Sequence, residues 1–204
     1  VNSFRLLNRL VSLGAWRPAV YTSRQILTCA GLIEDARTLE APNYFNWIRY
    51  GTWFNEIVQK VFDQYKIHPF ILYGLMRQES MYDPWISSSA GASGLMQIMP
   101  ATGLELSKKL QWPPNYADSD LLRATVAINF SADYLSTQHD YFGNDNFYML
   151  ASYNAGPGST SGWVDKAEND PDLFLEIIRF EETRTYIRNV YEYAKMYERF
   201  YGVG

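Results

Sequence analysis

Glu79 ends an apolar run, FILYGLMRQES, and is followed by backbone that carries very little side chain. Leu72, Leu75 or Met76, and Glu79 recur three to four residues apart, so a helix opening at Pro69 puts the carboxylate on its inward stripe. There, lost hydration and the partial negative charge of a helix C-terminus both disfavour the anion. The expected consequence is a pKa raised by about one to two pH units, which keeps part of the population protonated near neutrality and suits a general acid. An ordinary Glu at a helix end is a solvated surface residue, so the reading depends on the residues around it.

Glu79 sits near the start of RQESMYDPWISSSAGASGLMQIMP, residues 77–100. Ser87 to Gly94 is built only of Ser, Ala and Gly, which cannot form a core and make either a floppy loop or a wall where a bulky ligand meets backbone. The apolar LMQIM directly after it favours the wall. Gln97, alone among Leu95, Met96, Ile98 and Met99, needs a polar partner if buried, and a sugar hydroxyl or acetamido group would serve. A second small-residue cluster, SYNAGPGS at 152–159, again joins an aromatic, an amide and glycines, and also reads as a glycine helix cap. In a third, FEETRTY at 180–186, Glu181 and Glu182 also read as favourable charges in a first helical turn.

The elements that must position these groups are helical. Leu6, Leu7, Leu10, Val11 and Leu13 are followed by Gly14 and then by Ala19, Ile26 and Leu27, a helical hairpin. It is either the end of a stacked helical array or a hairpin packed on the main domain. APNY at 41–44 breaks the pattern, and Trp53, Ile57, Val58, Val61, Phe62 and Tyr65 resume it, which places a boundary near residue 50. Residues 1–50 are then the tail of an α-superhelical region, and 51–204 the main domain. Further helices are expected over 100–110, 121–138 and 147–155. A loop from 173 leads into a long helix from about Glu181, and at most a small β element lies near 94–99. The expected fold class is mainly α.

Composition narrows the function. With 47% of 204 residues hydrophobic, the chain can bury a sizeable core, and a net charge of −4 leaves no basic field for nucleic acid. Cys29 is the only cysteine, and His68 and His139 have no close companions, so no metal site is expected. No run approaches the ~20 apolar residues of a membrane span. VNSFRLLNRL lacks the apolar centre of a signal peptide, and Val1 suggests a chain processed or excised from something longer. Aromatic residues reach 16%, as a sugar-binding cleft requires, although ordinary packing also uses them.

Taken together, Glu79-Ser80, Ser88 to Thr102 with GLMQIMP, Tyr153 to Gly158 and Glu182 to Tyr186 resemble the lytic transglycosylases of the goose-lysozyme-like superfamily, closest to the soluble type. The resemblance covers about residues 50–204. It implies a lysozyme-like α domain, preceded by the end of a helical superstructure, that cleaves the MurNAc–GlcNAc β-1,4 bond of peptidoglycan glycan strands. Cleavage proceeds without water and leaves a 1,6-anhydro-MurNAc end. By motif position Glu79 is the single catalytic acid and base. Ser88, Met96, Gln97 and Met99 line the cleft, Tyr153 and Asn154 stand across it, and Glu182 and Tyr186 close it from the last helix. No cofactor or metal is implied, and the location is periplasmic or otherwise exported to the cell envelope. Asp83, the nearest second acid in sequence, precedes Pro84 in a turn and reads as a cap rather than a nucleophile. Two positions where relatives carry Asn and Gly are Ala127 and Ser131, and Arg179 replaces a usual Pro; the first two are expected to affect packing more than chemistry. The alternatives are a goose-type hydrolase on the same fold and a non-catalytic peptidoglycan-binding domain.

Overall fold

The computed structural model describes residues 2–32, 40–168 and 170–202. In chain order the α-helices are α1 (Asn2–Ser12), α2 (Trp16–Cys29), α3 (Asn43–Arg49), α4 (Asn55–Tyr65), α5 (Pro69–Ser80) and α6 (Pro100–Leu110). They continue with α7 (Ala124–Tyr141), α8 (Asn146–Ala155), α9 (Pro157–Ala167), α10 (Pro171–Ile177) and α11 (Glu181–Tyr201), and a short 3-10 turn spans Asp118–Leu122.

The core is organised around α5. Its start is set by Pro69 in the first turn and by His68, whose Nδ1 accepts from the Phe70 amide. Leu72, Leu75 and Met76 are fully buried, each contributing about 1.5–3 kcal/mol of apolar transfer. Truncating Leu75 to Ala would remove about 2–5 kcal/mol. Along one side runs α11. The two backbones approach closely because residue 74 is glycine: a Cβ there would lie 2.8 Å from the Val190 carbonyl oxygen.

The C-terminal end of α5 is fixed to the small-residue segment. Met81 and Tyr82 adopt positive φ and turn the chain, and the Ser80 hydroxyl donates to the Leu95 carbonyl at 2.8 Å. Asp83 accepts from the Trp85 amide at 3.0 Å, the turn-closing role expected of it. The β element near 94–99 is reduced to isolated bridges, Ser87 with Ser93 and Ser93 with Ile98. Extension stops because Gly94 (φ +78°) and Gln97 (φ +47°) both leave the extended region. Gly94 is packed so tightly that a Cβ would fall 2.0 Å from the Leu121 carbonyl oxygen.

On the far side of α5, Arg77 is buried between the rings of Tyr50 and Tyr193, with its Cζ 4.3 and 4.7 Å from their centroids, and it donates to the Arg49 carbonyl. The amino-terminal hairpin has its own small cluster of Leu7, Ala19 and Ile48, the last supplied by α3. Val20 belongs to the main core, and Trp16 stacks on Trp53 at 3.7 Å, so both cross the expected boundary near residue 50.

Several elements differ from the expectation. Pro42 sits just outside α3 rather than breaking a helix, and α7 starts at Ala124 because Asp118–Leu122 forms a 3-10 turn in which Asp120 accepts from the Ala117 amide. Pro157 and Pro171 are first-turn residues of α9 and α10. The loop expected from residue 173 is therefore mostly helix.

Candidate active site

Glu79 lies in the last turn of α5 and is largely removed from solvent, with its Oε1 accepting from the Tyr186 hydroxyl at 2.5 Å. Burial raises its pKa from 4.5 to about 7, the Tyr186 hydrogen bond pulls against that rise, and the nearby Glu182 charge adds to it. The shift exceeds the one to two pH units expected from the stripe. Tyr186 is itself buried, and burial beside Glu79 holds its pKa well above the ordinary 10, so it stays a neutral donor.

Glu79, Asn154, Glu182 and Tyr186 line one open cavity of about 450 Å³, together with Gln78, Glu181 and Thr185. Four of the residues singled out in the sequence thus converge from α5, the end of α8 and the start of α11. Asn154 is oriented by Thr183, whose hydroxyl donates to its Oδ1 at 2.7 Å, and Asn189 donates to Gln78 at 3.2 Å. The Thr183 bond occupies the Asn154 Oδ1 and leaves its amide nitrogen as a donor.

Tyr153, Gln97 and Met99 line a neighbouring cavity of about 80 Å³, which Ser131 and Tyr134 also border. The Tyr153 hydroxyl donates to the Met96 carbonyl at 2.8 Å and shares a 2.8 Å hydrogen bond with Ser131. With its single proton committed to Met96, the phenol takes Ser131 as donor. Burial and the Glu79 charge push its pKa up, so it too remains neutral.

Three of the expected contacts take another form. Met96 does not border the cleft through its side chain, which is fully buried; its carbonyl anchors Tyr153. Gln97 needs no sugar to satisfy its amide nitrogen, which donates to the Gly94 carbonyl at 2.9 Å and the Ile86 carbonyl at 3.3 Å, and only its Oε1 is left for a ligand. Ser88 lines neither cavity, because its hydroxyl accepts from the Ala92 amide at 3.0 Å and closes the exposed loop. Ser131, assigned to packing, instead touches the site through Tyr153. Nothing in residue type separates Ser131 from other helical serines, whereas Thr183 lies within the third cluster and was open to notice. Among the described residues no group of three or more His, Cys, Asp or Glu could hold a metal ion.

A family model described as "Transglycosylase SLT domain" matches residues 56–174. The chain belongs to the SLT transglycosylase family. This SLT domain is 39% identical over 130 residues to a soluble lytic murein transglycosylase of Salmonella typhimurium, covering 63% of this chain and 20% of that one. Identity to the soluble lytic murein transglycosylase of Escherichia coli K12 is 35% over 156 residues, 76% of this chain and 24% of that one. The crystal structure of the 70 kDa soluble lytic transglycosylase from Escherichia coli superposes with a TM-score of 0.82 at 29% identity, covering 98% of this chain and 30% of that chain. A complex of the 70 kDa soluble lytic transglycosylase with bulgecin A matches with the same TM-score at 28% identity, covering 98% of this chain and 31% of that one. The chain spans less than a third of the length of each of these proteins. The lysozyme-like α fold expected from the motifs is the fold observed.

Proposed function

We propose that the chain cleaves the MurNAc–GlcNAc β-1,4 bond of peptidoglycan without water, with Glu79 acting first as acid and then as base. The observation that carries this reading is the Glu79 carboxyl, buried, held by Tyr186 and poised at about 7 in an open cavity. Near neutrality a useful fraction carries the proton that the leaving oxygen needs. The neighbouring N-acetyl group then stabilises the developing cation at C1. The Glu79 carboxylate next takes the proton from the sugar's own C6 hydroxyl, which attacks C1 and closes the 1,6-anhydro ring. Glu79 is protonated again at the end, and no bond to the protein forms.

The substrate supplies its nucleophile, so the usual second flanking carboxylate is not required. Asp83 is committed to the turn after α5, and Glu182 serves by keeping Glu79 protonated. Intramolecular attack gains from proximity, and the neutral phenols of Tyr153 and Tyr186 offer fixed dipoles without competing for the proton. The glycan strand is the partner of the cleft, and its chemistry places the chain at the cell envelope.

Mass spectrometry of digested sacculi tests the proposal. A product lighter by one water than a reducing-end muropeptide is expected from the wild type and none from Glu79→Gln. Reducing ends would mark a goose-type hydrolase. Equal release by Glu79→Gln would reject the assignment of Glu79, and no release by either protein would leave a binding domain.

A further inference from the structure

Three side chains of α11 recur at three-residue spacing, and each holds a different group of the Glu79 cavity. Tyr186 donates to the Glu79 carboxyl, Thr183 to the Asn154 Oδ1 at 2.7 Å, and Asn189 to the Gln78 Oε1 at 3.2 Å. Spacing of three keeps the donors on one side of the helix. Glu79, Asn154 and Gln78 all line the cavity, whereas Thr183, which is buried, and Asn189, which is half-buried, do not. The proposed reaction uses Glu79 and Tyr186 and gives Thr183, Asn189 and Gln78 no part.

A side-chain amide carries an acceptor at one end and two donors at the other, so tying down one end decides what the other offers. Both oxygens are taken by α11, and neither amide nitrogen donates to another described residue. The charges of the cavity favour the same arrangement. Its carboxyl groups, Glu79, Glu181 and Glu182, repel an amide carbonyl when ionised and draw an NH2 group. Ionised carboxylates only accept, and a sugar also presents hydroxyl, ring and acetamido oxygens that need donors. Gln78 stands beside Glu79 at the end of α5, and Asn154 faces the same cavity from the end of α8.

We infer that Thr183 and Asn189 are positioning residues, which turn Asn154 and Gln78 so that each presents an NH2 donor to an oxygen of the bound sugar, with Gln78 a substrate contact. The inference rests on the proposed glycan substrate and adds to it the residues that set the donor pattern of the cleft.

Steady-state cleavage of glycan strands by Thr183→Val and Asn189→Leu tests it. Each variant is expected to raise KM about three- to tenfold, the range that one neutral hydrogen bond allows, with kcat within about twofold of wild type. The alkaline limb of the pH profile stays in place, because the bond to Glu79 comes from Tyr186. Thr183→Ser keeps the hydroxyl and restores the wild-type KM. Gln78→Leu raises KM to the same degree, and adding Asn189→Leu to it has no further effect, since both act through one amide. A wild-type KM in Asn189→Leu, additive effects in the double variant, a moved alkaline limb or a failed rescue by Ser overturns the inference. Should Thr183→Val not fold, the cycle of Gln78 and Asn189 decides alone. If the wild type cleaves no strand, the proposed reaction fails, and the amides are read by titrating a GlcNAc tetramer against the side-chain NH2 NMR signals of Gln78 and Asn154. Saturable shifts, with affinity about three- to tenfold weaker in Asn189→Leu, support the inference, and unmoved signals or an unchanged affinity refute it.

Discussion

Replacing Glu79 by Gln should make the protein more stable, and increasingly so as pH rises. The folded state binds the Glu79 proton more tightly than the unfolded chain, with a pKa of about 7 against 4.5. Between those values the folded state holds more protons, so stability falls as pH rises and the full penalty is present above about 7. Integrated over the titration, the ionised group costs about 1 kcal/mol at pH 5 and about 3 kcal/mol at pH 8. Gln stays neutral, and its carbonyl oxygen can still accept from Tyr186. Any fixed penalty for burying its NH2 is the same at both pH values and cancels in the comparison. The stability gap between variant and wild type should therefore widen by about 2 kcal/mol from pH 5 to pH 8, or about 4–8 °C in Tm for a domain of this size. Thermal unfolding followed by circular dichroism at the two pH values measures it. A gap that stays constant within about 0.5 kcal/mol would show that Glu79 titrates as an ordinary carboxylate and remove the physical basis for its role as an acid.

Tyr186→Phe removes the hydrogen bond that lowers the Glu79 pKa, and should move the alkaline limb of the kcat/KM profile up by about one pH unit while reducing kcat. Glu182→Gln removes a charge that raises it, so the same limb should move down; limbs shifting together in one direction would contradict the assignment of causes. The wild-type profile itself should fall above about 7 with no acidic limb from a second carboxylate, because one group returns to its starting protonation in each turnover. Gly94→Ala combines a positive φ with a clash against the Leu121 carbonyl and should lower stability by about 3 kcal/mol or more in denaturant titration, or prevent folding. Tyr153→Phe strands the Met96 carbonyl and should cost about 1–3 kcal/mol by the same measurement, with Ser131→Ala milder because the Met96 bond survives.

Much of the site was legible because its signals are local and periodic. The stripe of Leu72, Leu75 and Glu79 comes directly from helical spacing, and Glu182 and Tyr186 lie one turn apart on α11. The features that were missed depend on the third dimension. The hydrogen bonds of Gln97 to the Gly94 and Ile86 carbonyls depend on a positive-φ turn that sequence does not announce. Met96 and Met99 look alike in the motif, yet one is fully buried and the other 44% exposed. Three helices, α3, α9 and α10, have no counterpart in the sequence expectation, although the chemistry of two is visible there: Asp170 before Pro171 is an N-cap that accepts from the Asp172 and Leu173 amides, and Pro157 after Gly156 opens a helix as readily as it ends one.

The guanidinium of Arg77 sits two residues from Glu79 on the same helix, and its acceptor is the carbonyl of Arg49. A protein trimmed to begin at residue 51 would discard that oxygen and the Tyr50 ring beneath it, and would strand a cation inside the molecule two residues from Glu79. The smallest piece able to keep α5 intact must therefore retain Arg49 and Tyr50, so the end of α3 supports the helix that carries Glu79.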